Sequence, residues 1–177
     1  MGPNSHNRFV QIYEHAYRPI LGYVLRRCAD PEDAADVVAE TFATAWRRID
    51  EIPPGDEARL WLYGVARNTL ANHLRGERRH EQRAAALREQ IIASPTLSGP
   101  PPAEYTQLGR VFRALSDDDR ELLSLVAWEK LDTEQMARTL GITRNAVRVR
   151  LYRARKRFAR ALAAAGIDLP LLERTAQ

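Results

Sequence analysis

Three carboxylates near the start of the chain are spaced so that they share one face of a helix. Asp33, Asp36 and Glu40 stand three and four residues apart. Such a face can serve a metal-dependent phosphohydrolase or dock on a partner, but no nearby His or Lys completes a reactive site. A second acidic run, Asp117–Asp119, reads more simply as the start of a helix after Ser116. We therefore expect no catalytic residue, no metal site and no cofactor.

A ridge of amide and basic side chains follows the acidic segment. Asn68, Asn72 and Arg75 lie at positions i, i+4 and i+7 of one helix, with Trp61 nearby in the sequence. Amide hydrogen bonding, aromatic stacking and a positive charge together suit unpaired bases better than duplex DNA. The alternatives are a core role for Trp61 and a buried helix–helix hydrogen bond for Asn68.

The most basic segment has the pattern of a helix-turn-helix. Residues 143–162 contain eight basic side chains and no acid. Gly141 supplies the turn, and Ile142 and Val147 fill the angle between the two helices. The start of the second helix would enter the major groove of DNA, which selects Arg144, Asn145, Arg148, Val149 and Tyr152. The other basic residues suit phosphates or intramolecular pairing; they are Arg150, Arg153, Arg155, Lys156, Arg157 and Arg160. A surface helix of a structural bundle is the alternative.

Charge alternates in blocks along these segments. Residues 29–58 hold nine acids and two bases, and residues 116–135 hold seven acids and two bases. Residues 67–88 hold six bases and two acids, although the formal net charge of the whole chain is only +4. This pattern indicates two basic surfaces for polyanions, separated by acidic surfaces that face a different partner.

Composition restricts the class of protein. Apolar residues make up 45% of the chain, charged residues 28%, and there is one cysteine, Cys28. A single cysteine forms no internal disulfide, which indicates a reducing cytoplasm. No apolar run approaches the ~20 residues that span a bilayer, so we expect no membrane insertion.

The elements that must position these residues are all helices. The pattern predicts an all-α fold of two small helical domains, at residues 5–90 and 104–165. A Pro-rich flexible linker at 91–103 joins them, and a tail follows at 166–177. Asp30, Ser116 and Thr143 are predicted helix caps, and either Asp132 or Thr133 caps the helix before Gly141.

Three segments together resemble the bacterial sigma-70 family, specifically its extracytoplasmic function (ECF) type. Residues 33–46 read DAADVVAETFATAW and resemble region 2.2 of that family. Residues 60–70 read LWLYGVARNTL and resemble regions 2.3 and 2.4, and residues 146–155 read AVRVRLYRAR and resemble region 4.2. The order of the three segments is that of the family. Ala39 departs from the Gln common there, and Val149 departs from a small polar residue.

This resemblance implies a non-enzymatic transcription initiation factor whose partners are core RNA polymerase, promoter DNA and an anti-sigma factor. Docking on the clamp helices of the largest subunit would use Asp33, Asp36, Val37, Glu40 and Thr41, and the flap of the polymerase is a second expected contact. Capture of a flipped base of the −10 element would use Trp61, Arg67, Asn68, Asn72 and Arg75. Duplex recognition at the −35 element would use Arg144, Asn145, Arg148, Val149, Tyr152 and Arg153.

One rival interpretation stays open from the sequence. An autonomous helix-turn-helix regulator would use its N-terminal domain to dimerise or to bind a ligand. Such a regulator would bind a two-fold-symmetric duplex site tightly without polymerase. A sigma factor would bind duplex DNA weakly by itself and form specific open complexes only with core polymerase.

Overall fold

The computed structural model describes residues 3–28, 30–88 and 103–167. The regular elements of these residues are α1 (Pro3–Leu25), α2 (Pro31–Arg47), a 3₁₀ turn (Ile49–Glu51), α3 (Glu57–Arg88), α4 (Ala103–Arg113), α5 (Asp117–Ala127), α6 (Thr133–Leu140) and α7 (Arg144–Ala164). The predicted all-α fold is confirmed. Most of the predicted linker, and the tail beyond residue 167, lie outside the described residues, and the domain boundaries stay predictions.

The N-terminal unit consists of α1, α2 and α3, which pack on one another. Its core contains Ile20, Tyr23, Val24, Val37, Phe42, Ala45, Leu62, Ala66 and Leu70. Asp30 caps α2 as predicted, because its side chain accepts a hydrogen bond from the Glu32 amide at 2.8 Å. Pro31 occupies the first turn, where its missing N–H costs nothing. These local signals fix where the acidic helix begins.

The C-terminal unit is built on α7, against which α4 and α5 pack. Leu122, Leu125, Val147, Leu151, Ala154 and Leu162 are buried. Ser116 and Thr143 cap α5 and α7 as predicted, each accepting a hydrogen bond from an amide three residues on. Gly141, at φ +65°, forms the turn between α6 and α7 that only glycine adopts freely.

Asp132 is the residue that caps α6. Its carboxylate accepts hydrogen bonds from the amides of Glu134 and Gln135, both at 2.8 Å. The Gln135 side chain accepts in return from the Asp132 amide at 3.0 Å. This reciprocal pair is a capping box, and it decides between the two caps that the sequence left open. Across the described ranges, none of the helices combines the length and apolar character that a membrane span requires.

Candidate functional site

The acidic face of α2 divides into exposed and buried residues. Asp36 and Glu40 are exposed, and Asp33 is partly exposed. Val37 and Thr41 are buried, and the Thr41 hydroxyl donates to the Val37 carbonyl at 2.7 Å. Of the five residues predicted to dock on polymerase, the three carboxylates can therefore meet a partner directly. Val37 and Thr41 are instead buried, where they pack α2 against the rest of the N-terminal unit.

Glu40 already has a basic neighbour. Its Oε1 accepts from Arg47 Nη2 at 2.6 Å and from the Thr44 hydroxyl at 3.3 Å. The hydrogen bond from Arg47, followed by the charge of Arg47, lowers the pKa of Glu40 below its ordinary value. The carboxylate is therefore ionised at neutral pH. A basic partner that binds this face competes with Arg47 for it.

An open groove of about 430 Å³ lies between α2 and α3. One wall carries Asp36 and Glu40, and the other carries Asn68 and Asn72. The sequence assigned these two pairs to separate surfaces, one for a protein partner and one for unpaired bases. The structure brings both pairs into one groove, with His73 also among its lining residues.

The amide ridge of α3 is exposed as predicted. Asn68, Asn72 and Arg75 all face solvent. Arg75 Nη2 donates to Asn72 Oδ1 at 2.6 Å, and Arg75 Nε donates to the Ala71 carbonyl at 3.0 Å. Arg75 uses one of the two acceptor positions of the Asn72 carbonyl oxygen, and the NH₂ group is the donor that this side chain can offer to a base acceptor.

Trp61 and Arg67 are half-buried. The guanidinium carbon of Arg48 lies 5.5 Å from the centre of the Trp61 ring, within range of a cation–π contact. Trp61 is thus neither a fully buried core residue nor a free stacking platform. A base that stacks on this ring would have to share it with Arg48.

The outer face of α7 presents the residues predicted to read duplex DNA. Arg144, Asn145, Arg148, Val149, Tyr152 and Arg153 are all exposed. Val149 is 41% exposed and Tyr152 is 61% exposed, whereas Val147 is fully buried on the opposite face. Large apolar and aromatic side chains with this exposure on a basic helix suit contact with thymine methyl groups and bases.

A second groove, of about 300 Å³, follows the C-terminal half of this face. It is lined by Tyr152, Arg153, Lys156, Arg157 and Arg160. The ammonium nitrogen of Lys156 lies 6.0 Å from the centre of the Tyr152 ring. Lys156 and Arg160 are exposed, which suits a phosphate contact, one of the two roles that the sequence left open for them.

Arg157 differs from the other basic residues of α7. Its Nε and Nη2 donate to Oδ2 and Oδ1 of Asp119, both at 2.6 Å. Asp119 is buried, with 4% of its surface exposed. Of the two roles that the sequence left open for Arg157, the structure shows intramolecular pairing. No local signal identifies this partner, because 38 residues separate the two.

Comparison with known families follows the division into two units. Residues 12–80 match the family model for Sigma-70 region 2, and residues 105–158 match the one for Sigma-70, region 4. The chain is 32% identical over 156 residues to the ECF RNA polymerase sigma factor SigL of Mycobacterium tuberculosis, covering 81% of this chain and 82% of that protein. It is 29% identical over 161 residues to the RNA polymerase sigma-H factor of Pseudomonas aeruginosa, covering 85% and 82% of the two chains.

Two solved structures share the fold. One is the sigma factor RpoE of Bartonella quintana in complex with the anti-sigma factor NepR, with a TM-score of 0.66, 21% identity, and coverage of 88% of this chain and 96% of that one. The other is CnrH in complex with the cytosolic domain of CnrY, with a TM-score of 0.62, 24% identity, and coverage of 88% of each chain.

Proposed function

Since this chain belongs to the sigma-70 family as an ECF-type sigma factor, we propose that it binds core RNA polymerase and directs it to specific promoters. The observation that carries the proposal is the presence of two differently charged surfaces, one on each unit, in the order in which regions 2 and 4 follow along the chain in this family. An acidic and amide-lined groove lies in the region 2 unit, and an exposed basic helix lies in the region 4 unit. A protein that must hold both a polymerase and promoter DNA needs both surfaces.

The polymerase contact is proposed for the exposed acidic face of α2. Asp36 and Glu40 would meet basic groups of the clamp helices, with Asp33 at the start of the helix beside them. The flap of the polymerase is proposed as the contact of the region 4 unit. Charged pairs at such an interface raise the association rate and fix the register of docking.

Promoter melting is proposed for the amide ridge of α3. Asn68 and Asn72 would hydrogen-bond a flipped base of the −10 element, and Arg75 would contact phosphate while it positions Asn72. Trp61 and Arg67 flank this region as further contacts. Unstacking a base costs a few kcal/mol, so a site that accepts only the extruded base favours the open strand.

Duplex recognition at the −35 element is proposed for the outer face of α7. Arg148 suits a guanine edge, which an arginine contacts through two parallel hydrogen bonds. Val149 and Tyr152 suit the methyl groups of thymine, and Arg144, Asn145 and Arg153 complete the surface. The protein would act without catalysis, in the cytoplasm where polymerase and promoters are found.

An anti-sigma factor is a proposed further partner. The structure of RpoE that shares this fold was solved with one bound. Exposed charged surfaces on two separate units offer such a partner extensive area to cover. Occlusion of either surface would keep the protein from polymerase or from promoters.

Transcription with core polymerase tests the proposal. Run-off transcription on a genomic library, with and without this protein, should yield transcripts that start at defined positions only when the protein is present. Specific duplex binding without polymerase, at a two-fold-symmetric site, would instead support the autonomous regulator. If no defined start appears with core polymerase, the proposed function is wrong.

A charge reversal tests the docking face separately. Asp36→Lys should weaken association with core polymerase about tenfold or more, equivalent to about 1.4 kcal/mol. Glu14→Lys is the matched control, because Glu14 is an exposed acid on α1 of the same unit and undergoes the same change in charge. Equal affinities for the two variants would remove α2 from the interface.

A further inference from the structure

The recognition helix α7 is fastened to the rest of its unit through a buried carboxylate. Asp119, in the first turn of α5, receives two hydrogen bonds of 2.6 Å from the Arg157 guanidinium. The Asp119 amide also donates to the Ser116 hydroxyl at 3.2 Å, so backbone and side chain are held from both sides. The side chain of Asp119 is 5% exposed, and that of Arg157 is 52% exposed.

The start of α5, which carries Asp119, is itself held in place by contacts with α4. Arg120 Nη1 donates to the carbonyls of Arg113 at 2.5 Å and Leu115 at 3.0 Å, which ties the start of α5 to the end of α4. The aromatic rings of Phe112 on α4 and Phe158 on α7 meet edge to face, with centroids 5.8 Å apart. The Asp119–Arg157 pair thus joins α7 to the connection between α4 and α5, which is itself stabilised by the hydrogen bonds of Arg120.

Further along α7, Gln107 Nε2 on α4 donates to the Ala165 carbonyl at 3.0 Å. On the side of α7, all these hydrogen bonds and ring contacts are made by residues at or beyond position 157. The residues proposed to read DNA lie between 144 and 153.

Val147, Leu151 and Ala154 are buried as well, so apolar packing holds the first half of α7 while these polar contacts hold its second half. In a rigid helix, both sets of contacts determine the direction of the reading face. At 1.5 Å per residue, Arg157 stands about 13 Å along the axis from Arg148, so a small tilt at the fastening displaces the reading residues.

The chemistry of the pair suits positioning better than phosphate binding. Two of the five N–H donors of the guanidinium bind a carboxylate that water reaches poorly, which fixes the position of the whole group. Withdrawal of Arg157 to a phosphate would leave Asp119 buried without its counter-charge, which is costly. A lysine cannot replace the arginine there, because an ammonium group lacks the planar fork that bonds both carboxylate oxygens.

We propose that Arg157, through its bidentate pairing with buried Asp119, is a positioning residue for promoter recognition that orients α7 and makes no phosphate contact. This inference rests on the proposed −35 role of α7. It divides the basic residues in the second half of that helix by function. Lys156 and Arg160 are assigned to phosphates, whereas Arg157, although its side chain is 52% exposed, is bound to Asp119 and sets the direction in which Arg148 and Tyr152 approach the bases.

The salt dependence of promoter binding separates the two roles. The experiment uses holoenzyme assembled from core polymerase and the full chain, on a promoter defined by run-off transcription. Lys156→Gln removes one phosphate contact, so the slope of log K against log salt should become shallower by about 0.9. Arg157→Gln removes the same charge from the neighbouring position and should leave the slope unchanged. A slope that becomes shallower by about 0.9 for Arg157→Gln as well would overturn the proposal.

Discrimination between promoters separates positioning from simple loss of folded protein. One mismatched base pair is worth about 5- to 150-fold in affinity. Arg157→Gln should reduce the ratio of affinities for matched and mismatched promoters about fivefold or more. The reason is that a reoriented α7 no longer places Arg148 and Tyr152 against their bases. A smaller folded fraction lowers affinity for matched and mismatched promoters equally, so an unchanged ratio would overturn the proposal.

Two further variants keep the test independent of any single substitution. Arg157→Lys keeps the positive charge but loses the two parallel N–H donors that bind Asp119, so it should behave like Arg157→Gln. If Arg157 instead contacted phosphate, Arg157→Lys would retain that contact. Asp119→Asn should give the same loss of discrimination, and the double variant should be no worse than either single one. Retained discrimination in Asp119→Asn would overturn the proposal. Failure of the wild-type holoenzyme to select any promoter would instead remove the proposed function itself.

Discussion

The imidazole of His73 on α3 lies against the carboxylate of Asp33 on α2, with Nε2 3.1 Å from Oδ1. The side chains are 25% and 33% exposed, respectively. The contact joins the first turn of α2 to the helix across the groove that holds Asp36 and Asn68. Asp33 therefore contacts one of the residues that line this groove, His73, and also belongs to the acidic face proposed to dock on polymerase.

Removal of the charge at position 33 should destabilise the N-terminal unit. Asp33→Asn weakens the contact with His73 and also loses the favourable interaction of a first-turn carboxylate with the helix dipole. We expect the free energy of unfolding to fall by about 1 kcal/mol. Urea denaturation at neutral pH measures this. Asp36→Asn, the matched control in the second turn, should change the value by less than about 0.5 kcal/mol, and equal losses would contradict the role given to His73.

Asn72 offers a test of which group recognises the flipped base. Arg75 already donates to Oδ1 of Asn72, so Asn72→Asp keeps that acceptor, removes the NH₂ donor and adds a negative charge, which the control below accounts for. Open-complex formation should fall about tenfold, as expected for one lost hydrogen bond worth about 1.4 kcal/mol. Fluorescence of 2-aminopurine in the −10 element measures the opening.

The control for Asn72 is the same substitution at an exposed asparagine of α1. Asn7→Asp adds the same charge to the same unit, away from the groove-lining residues. It should form open complexes at the wild-type rate. A comparable loss in both variants would mean that added negative charge, rather than a missing donor, explains the effect.

Features set by neighbouring residues could be predicted from the sequence. Asp30, Ser116 and Thr143 cap their helices as predicted because a cap needs only an oxygen beside the first free amides. The apolar face of α7 likewise follows from helical periodicity, since its residues repeat every three to four positions; they are Val147, Leu151, Ala154, Phe158 and Leu162.

Features that depend on tertiary packing could not be predicted. The burial of Val37 and Thr41 beside exposed Asp36 depends on where α1 and α3 pack against α2. The groove shared by α2 and α3 depends on how these two helices cross. The pairing of Asp119 with Arg157 spans 38 residues, and several other arginines of α7 offered the same chemistry.

The cap of α6 should matter for the stability of the helix-turn-helix. Asp132→Ala removes the acceptor of two amide hydrogen bonds and should lower the free energy of unfolding by about 1 kcal/mol. Thr133→Ala tests the alternative cap and should cost about 0.5 kcal/mol or less. Thermal denaturation of the two variants gives the comparison, and a larger loss at Thr133 would contradict the capping box.

Acid should weaken the C-terminal unit through Asp119. The hydrogen bond from Arg157 lowers the pKa of Asp119, with help from Ser116 and against the effect of burial, which raises it. The folded state therefore holds this proton less tightly than the unfolded state, whose aspartate pKa is about 3.9. The stabilisation is complete above that pH and is lost as the pH falls through the lower folded pKa.

Asp119→Asn should accordingly be less stable at pH 7, by about 1–2 kcal/mol after allowance for the exposure of Arg157. It should also lose less further stability than the wild-type protein as the pH falls below about 4. The indole N–H signal of Trp128, which belongs to the C-terminal unit, follows urea unfolding of that unit at each pH. Asp118→Asn, at the exposed neighbour, should reproduce the wild-type pH dependence. If Asp119→Asn retains the full wild-type acid sensitivity, the hydrogen bond from Arg157 does not stabilise the ionised carboxylate, and α7 must be held by its other contacts, the apolar packing and the hydrogen bond from Gln107 to Ala165.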